Sequence, residues 1–194
     1  MPPYFGLNVV NTKPFDPTGQ SQGFKNGGDW QAALKLIKNT FSKTNAVRMY
    51  AIADGNTLHL MNAVPAAQQN NLSILVGVWS GGQSNTGRFD AETQALEQVV
   101  DKYGCGSFAA VSVGNEDLND VNKVGNLSPD DLRASKIATA DLLVQQMNQV
   151  RKMLRDKGCC GTPVTHTDTW NELTNQDNPN VNKVCLDILR LRLH

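Results

Sequence analysis

Three observations predict an α/β fold of the (β/α)8, or TIM-barrel, kind. Short β-branched apolar runs alternate with helical patterns, the first strand is not followed by a glycine-rich turn, and each apolar run ends in a polar or aromatic residue. Strand–helix alternation marks the α/β class, and near-continuous apolar strands suit a parallel sheet covered on both faces. A dinucleotide-binding sheet would concentrate its signal in glycines after the first strand, but Asn8-Val9-Val10-Asn11 has none. In a barrel the carboxyl ends of all strands ring one cleft, so every strand end supplies a residue to it. A barrel takes about 250 residues, roughly 31 per unit. The 194 residues here therefore read as one partial domain, 1–194, C-terminally incomplete with about five to six βα units.

The expected strands are Phe5–Val9, Ala46–Tyr50, Ser73–Trp79, Ala109–Gly114 and Pro163–His166, with a sixth candidate at Leu186–Leu193. Between the first two, Asp29 is placed as the cap of a helix whose Trp30, Ala33, Leu34, Ile37 and Phe41 share one face. Pro65 suits the first turn of the second helix, where its missing N–H costs nothing. Asp90 is placed as the cap of a third helix that buries Leu96, Val99, Val100 and Tyr103. Ser128-Pro129-Asp130-Asp131 opens the fourth: a capping hydroxyl, a proline at the first helical position, and acids at the positive end of the dipole. That pattern runs towards Arg155.

Composition narrows the function. Lys+Arg 18 balance Asp+Glu 18, which excludes the charge footprint of a non-specific nucleic-acid binder. No apolar stretch approaches the roughly 20 residues of a membrane-spanning helix. Charged residues make up only 19% while Asn and Gln are frequent, which suits contact with sugars rather than ions. The three histidines at 59, 166 and 194 lack ligand spacing, so no metal site is expected, and Gly81-Gly82 is a turn rather than a phosphate cradle. No cofactor is implied. Of Cys105, Cys159, Cys160 and Cys185, one of the adjacent pair can reach Cys105 or Cys185. No basic segment followed by an apolar run opens the chain, so no secretion signal is visible.

The chemistry concentrates in Val111-Ser112-Val113-Gly114-Asn115-Glu116-Asp117. A buried strand delivers Glu116 to a carboxyl end, where low dielectric and a neighbouring amide favour a protonated carboxyl. Such a group can donate to a leaving glycosidic oxygen, and Asn115 can hydrogen-bond a sugar hydroxyl. Tyr50, Trp79 and Trp170 are candidate stacking platforms for glucose rings. Arg48 lies in a buried strand, where an unpaired charge is costly, so it must find a carboxylate or become exposed. Asp168 either approaches the cleft or caps the backbone of Thr169 or Trp170, and His166 is read as a hydrogen-bonded structural histidine. Asp117 is expected to point elsewhere than Glu116, and Asp54 to sit in a turn.

Ala46-Val47-Arg48-Met49-Tyr50-Ala51-Ile52-Ala53-Asp54, Leu75-Val76-Gly77-Val78-Trp79-Ser80-Gly81-Gly82, Ser112-Val113-Gly114-Asn115-Glu116-Asp117-Leu118 and His166-Thr167-Asp168-Thr169-Trp170, in this order, resemble the fungal branch of glycoside hydrolase family 17. Phe5-Gly6-Leu7-Asn8 and Tyr103-Gly104-Cys105 fit the same branch. The resemblance implies a (β/α)8 barrel and retaining hydrolysis of β-1,3-glucan, some members transferring the cleaved chain to another glucan. It maps the acid/base onto Glu116 and places Arg48 beneath the nucleophile. Asp168 takes at most a substrate-positioning role. It also implies an extracellular or cell-wall location and laminari-oligosaccharides as ligands.

The family's nucleophilic glutamate ends a seventh strand in a Glu-Thr-Gly-Trp-Pro type motif, which this sequence does not contain. Retention needs two carboxyls roughly 5–5.5 Å apart, so weak or no activity is expected, with a catalytically inactive glucan-binding protein as the alternative. The Leu-Arg alternation after Cys185 departs from an apolar barrel strand and is read as an altered gene end or a short form. Open barrel edges would then favour self-association.

Overall fold

The computed structural model describes residues 6–13, 17–18, 20, 23–54, 57–81 and 86–174. Five strands form one parallel sheet in the order β1 (Gly6–Val9), β2 (Ala46–Met49), β5 (Ser73–Val78), β6 (Phe108–Val113) and β7 (Val164–Thr165). A two-residue antiparallel hairpin, β3 (Ala53–Asp54) and β4 (Thr57–Leu58), follows β2, so Asp54 lies in a strand where a turn was expected. Sheet neighbours are also sequence neighbours, without the reversal of strand order that defines a doubly wound sheet. All five predicted strands are present within a residue or two of their expected limits. The candidate at 186–193, Cys185, Phe5 and Gly82 lie outside the described residues.

One face of the sheet is covered by helices. Val47, Met49, Ile74, Val76, Val78, Val111 and Val113 are each at most 1% exposed and join the helices in one core. A bulge between Ile74 and Leu75 leaves Ala109 without a register partner, so that Ile74 faces Phe108 but Leu75 faces Ala110. An extra residue reverses the in–out alternation beyond it. The buried apolar residues on β6 are therefore Phe108, Val111 and Val113. Among the described residues, the other sheet face lacks the cover that the apolar runs predicted. Leu7, Asn8, Arg48, Leu75 and Ala110 line an open cleft of about 370 Å³ there.

The helices correct three local readings. In α1 (Gly27–Thr40) the cap is Asn26, not Asp29: the Asn26 side chain accepts from Asp29 N at 3.0 Å, and the Asp29 carboxylate accepts from Asn26 N at 2.9 Å. Asp29 is the third-position partner of a reciprocal cap. Trp30 and Leu34 are fully buried, each contributing about 1.5–3 kcal/mol, whereas Phe41 ends the helix 52% exposed. Helix α2 (His59–Gln69) starts before Pro65 and carries it inside. Proline cannot bond the carbonyl four residues back; that carbonyl, on Met61, accepts from the Tyr103 hydroxyl at 3.4 Å. Helix α3 (Thr86–Tyr103) begins four residues before Asp90, which lies exposed within it, because Phe89 and Glu92 are also buried and extend the apolar face. Leu96, Val99 and Val100 are buried as expected; Tyr103 is half-buried.

Helix α5 (Pro129–Asp156) begins as the sequence predicts, with Ser128 Oγ accepting from Asp131 N at 3.2 Å. Ala140, Leu143, Met147, Val150 and Leu154 mark its buried stripe at helical spacing. Short helices α4 (Asp117–Val121) and α6 (Trp170–Thr174) follow β6 and β7. At the amino ends of those two strands, Cys105 and Cys159 form a disulfide, while Cys160 is free and exposed.

Candidate active site

Glu116 sits where β6 gives way to α4, at the carboxyl end of the fourth strand of the main sheet. The turn is steered by Gly114 at φ +77, whose N–H donates to Val78 O at 2.8 Å. Glu116 itself is left-handed, φ 60 and ψ 24, and half-buried. Few non-glycine residues adopt that conformation, and such outliers cluster at functional sites. Here the surroundings hold it. Glu116 N donates to Thr167 O at 2.9 Å, and Glu116 O accepts from Asp120 N at 2.8 Å.

Asn115 is coupled to β2. Its Oδ1 accepts from the Arg48 guanidinium at 2.6 Å, an interaction that orients the amide. The same guanidinium lies 4.4 Å from the centre of the Tyr50 ring, a cation–π geometry. Arg48 thus meets neither of its expected fates. It stays half-buried and contacts an amide and an aromatic face, and its buried Nε has no hydrogen-bond partner among the described residues.

An open cleft of about 440 Å³ runs past this corner, lined by Trp79, Asn115, Asp117, Asp120, Val121 and Leu127 among others. Asn115 and Asp117, the residues on either side of Glu116, both line it. Trp79 is 43% exposed, and the Arg88 guanidinium lies 5.5 Å from its ring centre. Arg88 in turn pairs with the fully buried Glu92 at 3.2 Å, and Glu92 accepts from Ile52 N at 2.6 Å. Trp79, after β5, is therefore tied to the loop after β2.

Asp117, which the sequence reading set aside as pointing elsewhere than Glu116, lines the cleft. Its carboxylate accepts from Asn115 N at 2.6 Å and from the Ser80 hydroxyl, and Ser80 O accepts from Gln146 Nε2 at 3.0 Å. A bridge from the end of β5 through the turn carrying Glu116 to α5 results. The only local signal for it was its position in the first turn of a helix, where a carboxylate is favoured.

The end of β7 locks the other side. His166 and Asp168 have fully buried side chains. His166 Nδ1 lies 2.7 Å from Val113 O, and Nε2 lies 3.0 Å from Asp168 Oδ2. Asp168 also accepts from Leu118 N at 2.9 Å and from Thr169 N at 2.8 Å. His166 is thus buried with a partner at each ring nitrogen. Asp168 takes the capping role weighed for it rather than the sugar contact, because burial turns both oxygens to protein donors. Trp170 opens α6, its side chain outside the described ones.

Near the turn, Glu172 pairs with Lys136 at 2.9 Å and accepts from Asn122 at 2.8 Å, joining α4, α5 and α6. The exposed Lys123 ammonium is held above its ordinary value, chiefly by its 2.5 Å hydrogen bond to Asp120, with smaller contributions from Glu116 and Asp168. A cation at the rim thus interacts electrostatically with Glu116 and Asp168.

Comparison with known proteins matches this arrangement to carbohydrate-active relatives. Over 179 residues the chain is 31% identical to a probable glucan endo-1,3-beta-glucosidase of Emericella nidulans, covering 89% of this chain and 35% of that one. It is 32% identical over 130 residues to a glucan 1,3-beta-glucosidase of Schizosaccharomyces pombe, covering 66% and 34%. It therefore spans about a third of the length of these relatives. Among solved structures, an active-site mutant of Rhizomucor miehei beta-1,3-glucanosyltransferase in complex with laminaritriose superposes with a TM-score of 0.59 at 19% identity, over 93% of this chain and 53% of that one; the likeness is one of fold. The BtgE/BtgC glycoside hydrolase domain matches residues 13–191. With its motifs in the order that the fungal family 17 resemblance requires, the chain belongs to the BtgE/BtgC glycoside hydrolase domain family.

Proposed function

We propose that this domain acts on β-1,3-glucan by a retaining mechanism in which Glu116 is the general acid/base. The observation that carries the reading is the Asn115-Glu116 pair at the carboxyl end of the fourth parallel strand, Asn115 oriented by Arg48 and flanking an open cleft with an exposed Trp79. The names of the relatives and the laminaritriose bound to the structural neighbour support β-1,3-glucan as the polymer. Glu116 donates its proton to the glycosidic oxygen as the C1–O bond breaks, then takes one from the water or sugar hydroxyl that completes the cycle. Asn115 and Trp79 hold the sugar, by hydrogen bond and by stacking.

Retention also needs a nucleophilic carboxylate. Asp117 and Asp168 both accept hydrogen bonds from backbone amides, and Arg48 Nε has no partner among the described residues. That arrangement supports a nucleophile contributed from beyond the described residues, at the end of a later strand of a closing barrel. It favours, as a second reading, glucan binding with little turnover by residues 1–194 alone. The Cys105–Cys159 disulfide supports an oxidising, extracellular or cell-wall setting.

The test is to titrate laminari-oligosaccharides against the chain and to follow products by mass spectrometry. We expect measurable binding, with turnover weak and abolished by Glu116→Gln. No binding at any chain length refutes the glucan reading. Vigorous turnover lost in Glu116→Gln refutes the need for an outside nucleophile, and turnover that survives Glu116→Gln refutes the acid/base assignment.

A further inference from the structure

We propose that His166 is a buried imidazolium, paired with Asp168 as the positioning device that fastens the turn carrying Glu116. The inference rests on the acid/base assignment of Glu116, and it follows from counting donors and acceptors. His166 Nδ1 faces the Val113 carbonyl oxygen at 2.7 Å, which can only accept, so this nitrogen carries a proton. His166 Nε2 faces Asp168 Oδ2 at 3.0 Å. Asp168 receives backbone N–H groups on both oxygens, Leu118 N at Oδ2 and Thr169 N at Oδ1. Donation by backbone amides favours the ionised carboxylate, which again can only accept, so Nε2 carries a proton as well. Two acceptors on opposite edges of one ring require the doubly protonated form.

Burial makes the pairing consequential. Both side chains are fully buried, and breaking a buried ion pair by removing one partner leaves a costly uncompensated charge. Other charged groups reinforce the assignment. From α4, Asp117 approaches Gly114 beside His166 Nδ1, adding a second anion. Lys123, beyond α4, is the cation that interacts electrostatically with Asp168 and Glu116. From α5, Leu143 packs against Gly114 and contributes only apolar surface.

The pair spans the catalytic turn. Val113 precedes the turn and Leu118 follows it, and both are bonded to this one couple; Glu116 N is bonded to Thr167 O between His166 and Asp168. The ends of the turn are thereby anchored to β7, so the left-handed Glu116 keeps a fixed aim. His166 and Asp168 act through Glu116 and not on substrate.

Nitrogen-15 NMR of the unaltered chain at pH 7 reads the ring directly. We expect both His166 nitrogens in the protonated range, each with a one-bond N–H coupling; a neutral ring with one unprotonated nitrogen overturns the proposal. Amide hydrogen exchange in Asp168→Asn separates positioning from general support. We expect exchange at Glu116 and Leu118 to accelerate roughly ten- to a hundredfold, the loss of a charge-assisted hydrogen bond, while Val76 and Val111 change little. Uniform acceleration, or none at Glu116 and Leu118, overturns it. Neither readout involves oligosaccharide, so failure here is distinguishable from failure of the Glu116 assignment.

Discussion

Replacing Gly114 with alanine tests the turn architecture most directly, because its cost divides into two parts that a second glycine can separate. At φ +77 any L-residue is strained, by about 1–2 kcal/mol. A Cβ at Gly114 would in addition lie 2.8 Å from Leu143 Cδ2, 3.0 Å from His166 Nδ1, and closer still to Asp117 Oδ2. Leu143 is core and His166 is fully buried, so little can yield, and overpacking of this kind adds about 1–3 kcal/mol. Gly158 has the same φ of +77 but nothing within 4 Å of its would-be Cβ, so Gly158→Ala carries the strain alone. With a urea m-value of about 2 kcal/mol/M, Gly114→Ala should lower the unfolding midpoint by about 1.5 M and Gly158→Ala by about 0.7 M. Circular dichroism at matched m-values measures both. Equal shifts, to within about 0.3 kcal/mol, would refute the claim that crowding beneath Glu116 shapes the turn. Gly114→Ala should also weaken laminari-oligosaccharide binding, whereas Gly158→Ala should not.

Reducing the Cys105–Cys159 disulfide, which closes a sequence separation of 54, should remove about 4 kcal/mol of stability on the chain-entropy account; thermal melts with and without reductant measure it, and Cys159→Ser should reproduce the reduced curve. The α1 cap should make stability sensitive to acid. Asp29 is held below its ordinary value of 3.8, chiefly by the hydrogen bond from Asn26 N–H. Its contribution is therefore present above 3.8 and is lost as pH falls through the lower folded value. Denaturant midpoints collected from pH 5 downward should show this loss in the native chain and a flatter limb in Asp29→Asn.

What could be read from the chain was what local chemistry specifies. The five strands were legible because each is a short β-branched run, and the start of α5 because Ser128 and Pro129 act within three residues of each other. Asp29 and Asp90 were misplaced as caps for a related reason: an acid near a helix start carries the same composition signal whether it caps, supports a cap or lies a turn inside. Pro65 was misread because its tolerance inside α2 coincides with a hydroxyl on Tyr103, 42 residues from the Met61 carbonyl that accepts it.

The site divides in the same way. Glu116 and Asn115 announced themselves as a polar pair ending an apolar strand. The partners of Arg48 and Asp117 did not, since Asn115 lies 67 residues from Arg48 and Ser80 lies 37 from Asp117. Periodicity carries no information about such distant meetings. The pairing of Cys105 with Cys159 was likewise one of four open choices until the amino ends of β6 and β7 were brought side by side.

Because each strand of the main sheet lies beside the one made just before or just after it, assembly can keep pace with synthesis. A chain leaving the ribosome at about 5–20 residues per second presents β2 to a waiting β1, then β5 to β2, without needing a distant segment to arrive first. Glu116 enters with the third such addition, β6, and the fourth, β7, brings the histidine and aspartate that fasten it. The order of manufacture is thus also the order in which the corner around Glu116 is built and then secured.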